Sequence, residues 1–142
     1  MHVEALALIN APREKVYRAY TDFEAWPLWW KRTSKVTVIA RDGNGVTVRS
    51  EPAPGKRRLA STSRLALSAP EAVESTSETR FTRTTWAVRF DEVQQGTQVT
   101  ALLDVRMKGL WGLLLSPRGK SEAEASAEEE LQAFAKYVEG LP

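Results

Sequence analysis

Cysteine is absent from the 142 residues, and histidine occurs once, as His2. Without thiols there is no disulfide, no cysteine nucleophile and no thiolate-bound metal. A single histidine leaves little room for imidazole catalysis or a histidine-rich metal centre. Also missing are a glycine-rich phosphate loop and a Ser-His-Asp set. The longest apolar stretch is Leu-Trp-Gly-Leu-Leu-Leu at 110–115, far short of the roughly 18 residues that a membrane helix needs. Met1-His2-Val3-Glu4 lacks the basic and apolar regions of a signal peptide, so a cytoplasmic location is expected. A net charge of +2 is too small to point to nucleic acid, and the chain lacks the basic helix or basic-aromatic sheet face of such recognition.

What is present is globular in bulk: 42% hydrophobic and 27% charged residues. These values exclude disordered, collagen-like and coiled-coil chains. The length is that of one domain, expected over 1–142, which buries roughly 70% of its unfolded surface.

His2 to Asn10 alternates Val3, Ala5, Ala7 and Ile9 with Glu4, Leu6 and Leu8, which predicts a strand with apolar side chains on both faces in its second half. At Ala11-Pro12 the period changes. Proline suits the first helical position, and Val16, Ala19 and Tyr20 then fall at helical spacing. Thr21-Asp22 ends that helix, and Phe23 to Trp30 forms a second short helical piece around Pro27.

Strand signals follow from Ser34. Val36, Val38 and Ala40 lead to a turn at Arg41-Asp42-Gly43-Asn44-Gly45, and Val46 and Val48 continue the hairpin. After Pro52-Ala53-Pro54-Gly55, the segment from Arg57 to Ser68 sets Leu59, Leu65 and Leu67 on one face with Ser61 and Ser63. Ala72 to Phe81 places Val73, Ser75, Ser77, Thr79 and Phe81 on one side. The clearest hairpin runs from Trp86, Val88, Phe90 and Val93 through Gln94-Gln95-Gly96-Thr97 to Val99, Ala101, Leu103, Val105 and Met107. Gly109 to Pro117 reads as a loop or one helical turn. A final helix starts near Ser116-Pro117 or at the capping-box spacing Ser121–Glu124, and carries the stripe Ala123, Ala127, Leu131, Phe134, Ala135 and Val138 before Gly140 stops it.

The order is therefore strand, two short helices, about six antiparallel strands and one long helix, an α+β arrangement in which the last helix fills a concave sheet. Three residue groups carry a family resemblance. One is Ile9-Asn10-Ala11-Pro12 with Val16-Tyr17, Thr21-Asp22 and Trp26-Pro27-Leu28-Trp29. The others are Trp86-Ala87-Val88-Arg89-Phe90 with Gly96-Thr97-Gln98-Val99-Thr100, and Glu130-Leu131, Phe134-Ala135 and Tyr137-Val138-Glu139. In these the chain resembles the START-like, or SRPBCC, superfamily with the Bet v 1-like helix-grip fold, and within it the bacterial polyketide cyclase/dehydrase-type proteins. The resemblance implies a curved antiparallel sheet of about seven strands wrapped around a long C-terminal helix. It also implies an apolar cavity between them, used for lipids, polyketides and other hydrophobic molecules. These are scaffold motifs, which speak for fold more than for activity.

The expected ligand-binding residues are Trp26, Trp29, Trp30, Leu59, Ser61, Ser63, Leu65, Ser75, Ser77, Trp86, Val88, Leu103, Leu110, Trp111, Ala127, Leu131 and Phe134. If Leu59 and Leu65 face inward, Ser61 and Ser63 do too, beside Ser75 and Ser77; buried hydroxyls need water or a polar ligand group. A register slip of one residue turns them outward onto an exposed face. Small Ala123 and Ala127 leave space beneath the first half of the helix, or equally allow close packing. The tryptophans are most simply core or rim aromatics. Trp29 and Trp30 beside Lys31, Arg32 and Lys35 have the composition of a patch for transient contact with an anionic membrane surface; a solvated basic turn carries more weight. Lys56-Arg57-Arg58 reads as a charged strand edge before it reads as a flap steering an acidic ligand.

No catalytic residue is assigned. Asp22, Tyr17, Tyr20, Glu74, Glu78, Arg89, Asp91, Asp104 and Arg106 are available, but none sits at a spacing that demands chemistry, and the last four suit cross-strand charge pairs. Three functions follow, in order. The first is binding or transport of a hydrophobic small molecule with the Trp26–Trp30 region gating access. The second is a metal-free cyclase or dehydratase using Asp22 or a tyrosine as acid/base. The third is a protein-interaction module with a vestigial pocket. No cofactor, metal or nucleic-acid partner is expected; ligand identity and oligomeric state stay open.

Overall fold

A computed structural model describes the backbone and side chains of residues 2–55, 60–78, 82–106 and 121–142, and the backbone also at 107 and 117–120. Strand β1 (His2–Ile9) is followed by α1 (Arg13–Tyr20) and a 3₁₀ helix (Phe23–Leu28). Six strands come next: β2 (Thr33–Asp42), β3 (Gly45–Pro52), β4 (Ser61–Ser68), β5 (Ala72–Glu78), β6 (Thr82–Val93) and β7 (Gly96–Met107). The long helix α2 (Pro117–Glu139) closes the chain. The seven strands form one antiparallel curved sheet in the order β1-β7-β6-β5-β4-β3-β2. Each strand from β2 onward pairs with its sequence neighbour, and β7 returns to pair with β1.

Helix α1 starts where Pro12, at φ −62°, precedes a first turn holding Glu14, and it ends near Arg18; both charges suit the helix dipole. Thr21 stops it by donating Oγ1–H to the Tyr17 carbonyl at 2.9 Å. The start of α1 is pinned to the sheet. Thr97 Oγ1 donates to the Ala11 carbonyl at 2.8 Å, and Gly96 passes so close to β1 that a Cβ there would lie 2.2 Å from the Ile9 carbonyl oxygen. Only glycine fits, and its φ of 139° adds a second reason.

Val3, Ala5, Ala7 and Ile9 are buried, while Leu6 and Leu8 lie on the outer face, 49% and 58% exposed. The strand expected to be apolar on both sides is thus an edge strand with one wet face. Its small residues, with Ala101 beside them on β7, let α2 approach closely enough for Leu131, Phe134, Ala135 and Val138 to be almost fully buried. The outer charges of the last hairpin pair differently from expectation. The two-residue turn sets Val93 opposite Gly96, which puts Arg89 opposite Thr100 and Asp104 opposite Thr85. Arg89 therefore pairs with Asp91 at 3.4 Å and Arg106 with Asp104 at 3.3 Å, each along a single strand, while Asp104 meets His2 of β1 at 3.6 Å and Arg83 meets Glu78 of β5 at 3.2 Å.

Candidate ligand site on the concave face

The inner face of the sheet has two zones. In the first, the rows Ala7–Val99–Phe90 and Ala5–Ala101–Val88–Val73 are almost completely buried under α1 and the second half of α2. In the second, Leu103, Trp86 and Ser75 share a row, and the next holds Val105, Thr84, Ser77 and Ser63; all seven are only half-buried. Ser61 stands beside Ser50, their hydroxyls 3.0 Å apart. The register thus turns the serines of β4 and β5 toward the concave side and gathers them with Thr84 into one hydroxyl band. The Ser63 and Ser77 hydroxyls have no hydrogen-bond partner among the described residues. Above this zone α2 presents half-buried Ala123 and buried Ala127.

At the boundary of the zones stands Tyr20, the last residue of α1, 4% exposed. Its ring touches Phe90 and Phe134 edge-on, each at a centroid distance of 5.6 Å, and also lies against Trp26 and Trp29. The Trp86 indole donates its Nε1–H to the Tyr20 hydroxyl oxygen at 3.0 Å. The phenol's own proton has no acceptor among the described residues. Burial pushes the Tyr20 pKa well above its ordinary value; the Trp86 hydrogen bond opposes this and the Glu130 carboxylate adds to it. At neutral pH the group is a permanent hydrogen-bond donor and no base.

The tryptophans of the mouth are packed, not displayed. Trp26 donates its Nε1–H to the Tyr20 carbonyl at 2.7 Å, and Trp29 lies 4.8 Å from Phe134 between ring centroids. Trp29 Nε1 is buried without a hydrogen-bond partner among the described residues. Trp30 is half-buried and meets Trp26 edge-on. Arg32 reaches across to α2, where it pairs with Glu130 at 3.2 Å and bonds the Ser126 hydroxyl. Lys31 Nζ also donates to the Leu28 carbonyl at 3.4 Å, so two of the three cations beside the tryptophans have partners within the molecule.

Among the other expected site residues, Leu65, Val88, Leu131 and Phe134 are buried in the packed core. Leu59, Leu110 and Trp111, and also Lys56, Arg57 and Arg58, lie outside the described residues. Asp22 is exposed, in a surface groove of about 340 Å³ shared with Lys15, Arg18 and Tyr137. Among the described residues no cluster of three His, Asp or Glu could hold a metal, and no helix is long and apolar enough to cross a membrane. The sequence reading missed the Arg32–Glu130 clasp and the central place of Tyr20. The helical spacing of Glu130 and Phe134, four residues apart, was the available signal that both share one face of α2.

This arrangement defines the class: an α+β helix-grip fold, a seven-stranded antiparallel sheet curved around a long C-terminal helix. Residues 9–128 match the polyketide cyclase / dehydrase and lipid transport family, and the chain belongs to that family. Several solved structures share the fold. A protein from Thermus thermophilus, TTHA0849, is 23% identical with a TM-score of 0.84, covering 97% of each chain. The Zhui aromatase/cyclase from a Streptomyces species is 18% identical with a TM-score of 0.80, covering 98% of this chain and 93% of its own. A START superfamily protein from Mycobacterium smegmatis is 19% identical with a TM-score of 0.79, covering 99% of each. No curated protein matches the chain.

Proposed function

We propose that this protein binds or carries a hydrophobic small molecule of lipid or polyketide-like character between the concave sheet and the first half of α2. The observation that carries this reading is the half-buried zone of Trp86, Leu103, Ser63, Ser75 and Ser77 beside rows that are closed completely. A fold that excludes water from Val88 and Phe90 leaves these neighbours uncovered on the same face, as a site awaiting an apolar body does. The scope of the family, which joins lipid transport to cyclase and dehydrase activity, supports the same class of ligand. Native mass spectrometry of freshly purified protein tests it: retained apolar mass, or uptake of an added neutral aromatic at one equivalent, is expected. Absence of both from a folded sample contradicts it.

A second reading, cyclisation or dehydration of a polyketide-like substrate, is favoured by the buried Tyr20 phenol, whose proton has no acceptor among the described residues. It requires a donor placed on a substrate oxygen, and turnover of a poly-β-keto substrate that Tyr20→Phe abolishes would establish it.

A further inference from the structure

The surface groove of about 340 Å³ lies between the flank of α1 and the C-terminal end of α2. Lys15, Arg18, Ala19 and Asp22 line it, and their spacing puts them on one helical face. Asp22 lies just past α1, where Thr21 still donates its N–H to the Tyr17 carbonyl at 2.9 Å and so continues the turn. Tyr137 and Leu141, at and just beyond the end of α2, complete the lining. The groove shares no residue with the half-buried zone of Trp86, Leu103, Ser63, Ser75 and Ser77.

Two opposite charges line this groove without meeting. Arg18 and Asp22 are exposed, and neither side chain has an ion pair or hydrogen bond among the described residues. Cation before anion is the weaker order for pairing four residues apart on a helix. Lys15 is engaged: its Nζ donates to the Leu141 carbonyl at 2.8 Å, which keeps a second positive charge in the groove. The remaining lining is apolar or aromatic, with Ala19 buried and Tyr137 and Leu141 half-buried.

We propose that this groove is a second binding site, for a small aliphatic zwitterion of the ω-amino acid class. Its carboxylate pairs with Arg18 beside Lys15, its ammonium pairs with Asp22, and its methylene chain covers Ala19 and Leu141. A lone anion there meets the Asp22 charge and a lone cation meets Lys15 and Arg18, so only a molecule carrying both charges gains at both ends. Four residues separate Arg18 from Asp22, about 6 Å along a helix axis. An α-amino acid, with both charges on one carbon, is too short to reach both. The volume of the groove falls in the range of small-molecule sites, roughly 300–1,000 Å³.

Four probes test the proposal by ¹⁵N–¹H titration at neutral pH: 5-aminopentanoate, pentanoate, pentylamine and glycine. With the wild type, 5-aminopentanoate is expected to move the amides of Lys15 to Asp22, Tyr137 and Leu141. It is expected to bind about threefold more tightly than any other probe, the worth of one exposed ion pair. Arg18→Gln weakens 5-aminopentanoate about threefold and leaves pentylamine no weaker, whereas Asp22→Asn weakens it about threefold and leaves pentanoate no weaker. Any other probe binding as tightly as 5-aminopentanoate, or variants without effect, overturns the proposal. So do shifts confined to residues outside the groove, or no shift at high concentration. Both substituted side chains are exposed, and circular dichroism checks that each variant keeps the fold. Since the groove and the concave zone share no residue, failure here leaves ligand binding between sheet and helix standing.

Discussion

Trp86 Nε1 donates to the Tyr20 hydroxyl at 3.0 Å across 66 positions of sequence, fastening the end of α1 to the middle of β6. The bond joins the two parts of the molecule that close over each other, and it sits where a sealed core gives way to a half-buried surface. Tyr20 is at once a core residue, through its four aromatic neighbours, and the polar boundary of the candidate site.

Removing the hydroxyl in Tyr20→Phe keeps those ring contacts and deprives Trp86 of its acceptor. The expected loss of stability is about 1–2 kcal/mol, the size of one hydrogen bond with a donor left unpaired. Urea unfolding is expected to show a lower midpoint at an unchanged slope.

The raised Tyr20 pKa also has a sign in alkali. Below pH 10 the phenol is neutral in native and unfolded chains alike and adds no pH dependence. Above it the unfolded chain releases a proton that the native chain retains, so stability falls with rising pH until the native phenol itself ionises. The slope is about 1.4 kcal/mol per pH unit for one such group. Unfolding between pH 9 and 11 is expected to show a shallower decline in Tyr20→Phe than in the wild type.

Gly96→Ala and Gly43→Ala form a matched pair. At Gly96 the new methyl would meet the Ile9 carbonyl oxygen at 2.2 Å, whereas at Gly43, φ 59°, nothing lies within 4 Å. The turn variant is expected to cost about 1 kcal/mol for left-handed backbone, and the strand variant more than about 3 kcal/mol because the β1–β7 pairing must shift as well. Thermal melting of the two proteins checks the order.

Filling the half-buried zone should separate stability from binding. Ser77→Leu adds apolar volume where the serine hydroxyl has no described partner, so the melting temperature is expected to hold or rise while uptake of a neutral aromatic falls at least about tenfold. Phe134→Ala does the reverse to the sealed zone, costing about 3–5 kcal/mol through the cavity it leaves.

Much of this architecture was legible in the chain. Alternation over Trp86 to Met107 marks the last hairpin, helical spacing from Ala123 to Val138 marks α2, and the leucines of β4 carry Ser61 and Ser63 to the concave side because strand side chains have period two. Contacts that depend on how elements cross were not legible. Nothing local brings Trp86 to Tyr20, or Arg32 to Ser126 across 94 positions. From the sequence the tryptophans could be core or rim, with Trp29 and Trp30 beside cations; the 3₁₀ geometry from Phe23 to Leu28 turns Trp26 and Trp29 into the core and leaves Leu28, 63% exposed, at the surface. Outer charges misled for a similar reason: the turn sets register, and register puts threonines opposite Arg89 and Asp104.

The most direct test of ligand binding between sheet and helix is a ¹⁵N–¹H correlation spectrum with the five tryptophan indoles assigned by substitution, recorded as 2-acetonaphthone is added. Binding on the concave face is expected to move the Trp86 indole and the Ser63 and Ser77 amides, with Leu6, Leu8 and Leu102 on the outer face unchanged. Shifts confined to those outer residues, or a spectrum that does not change at saturating ketone, would contradict it.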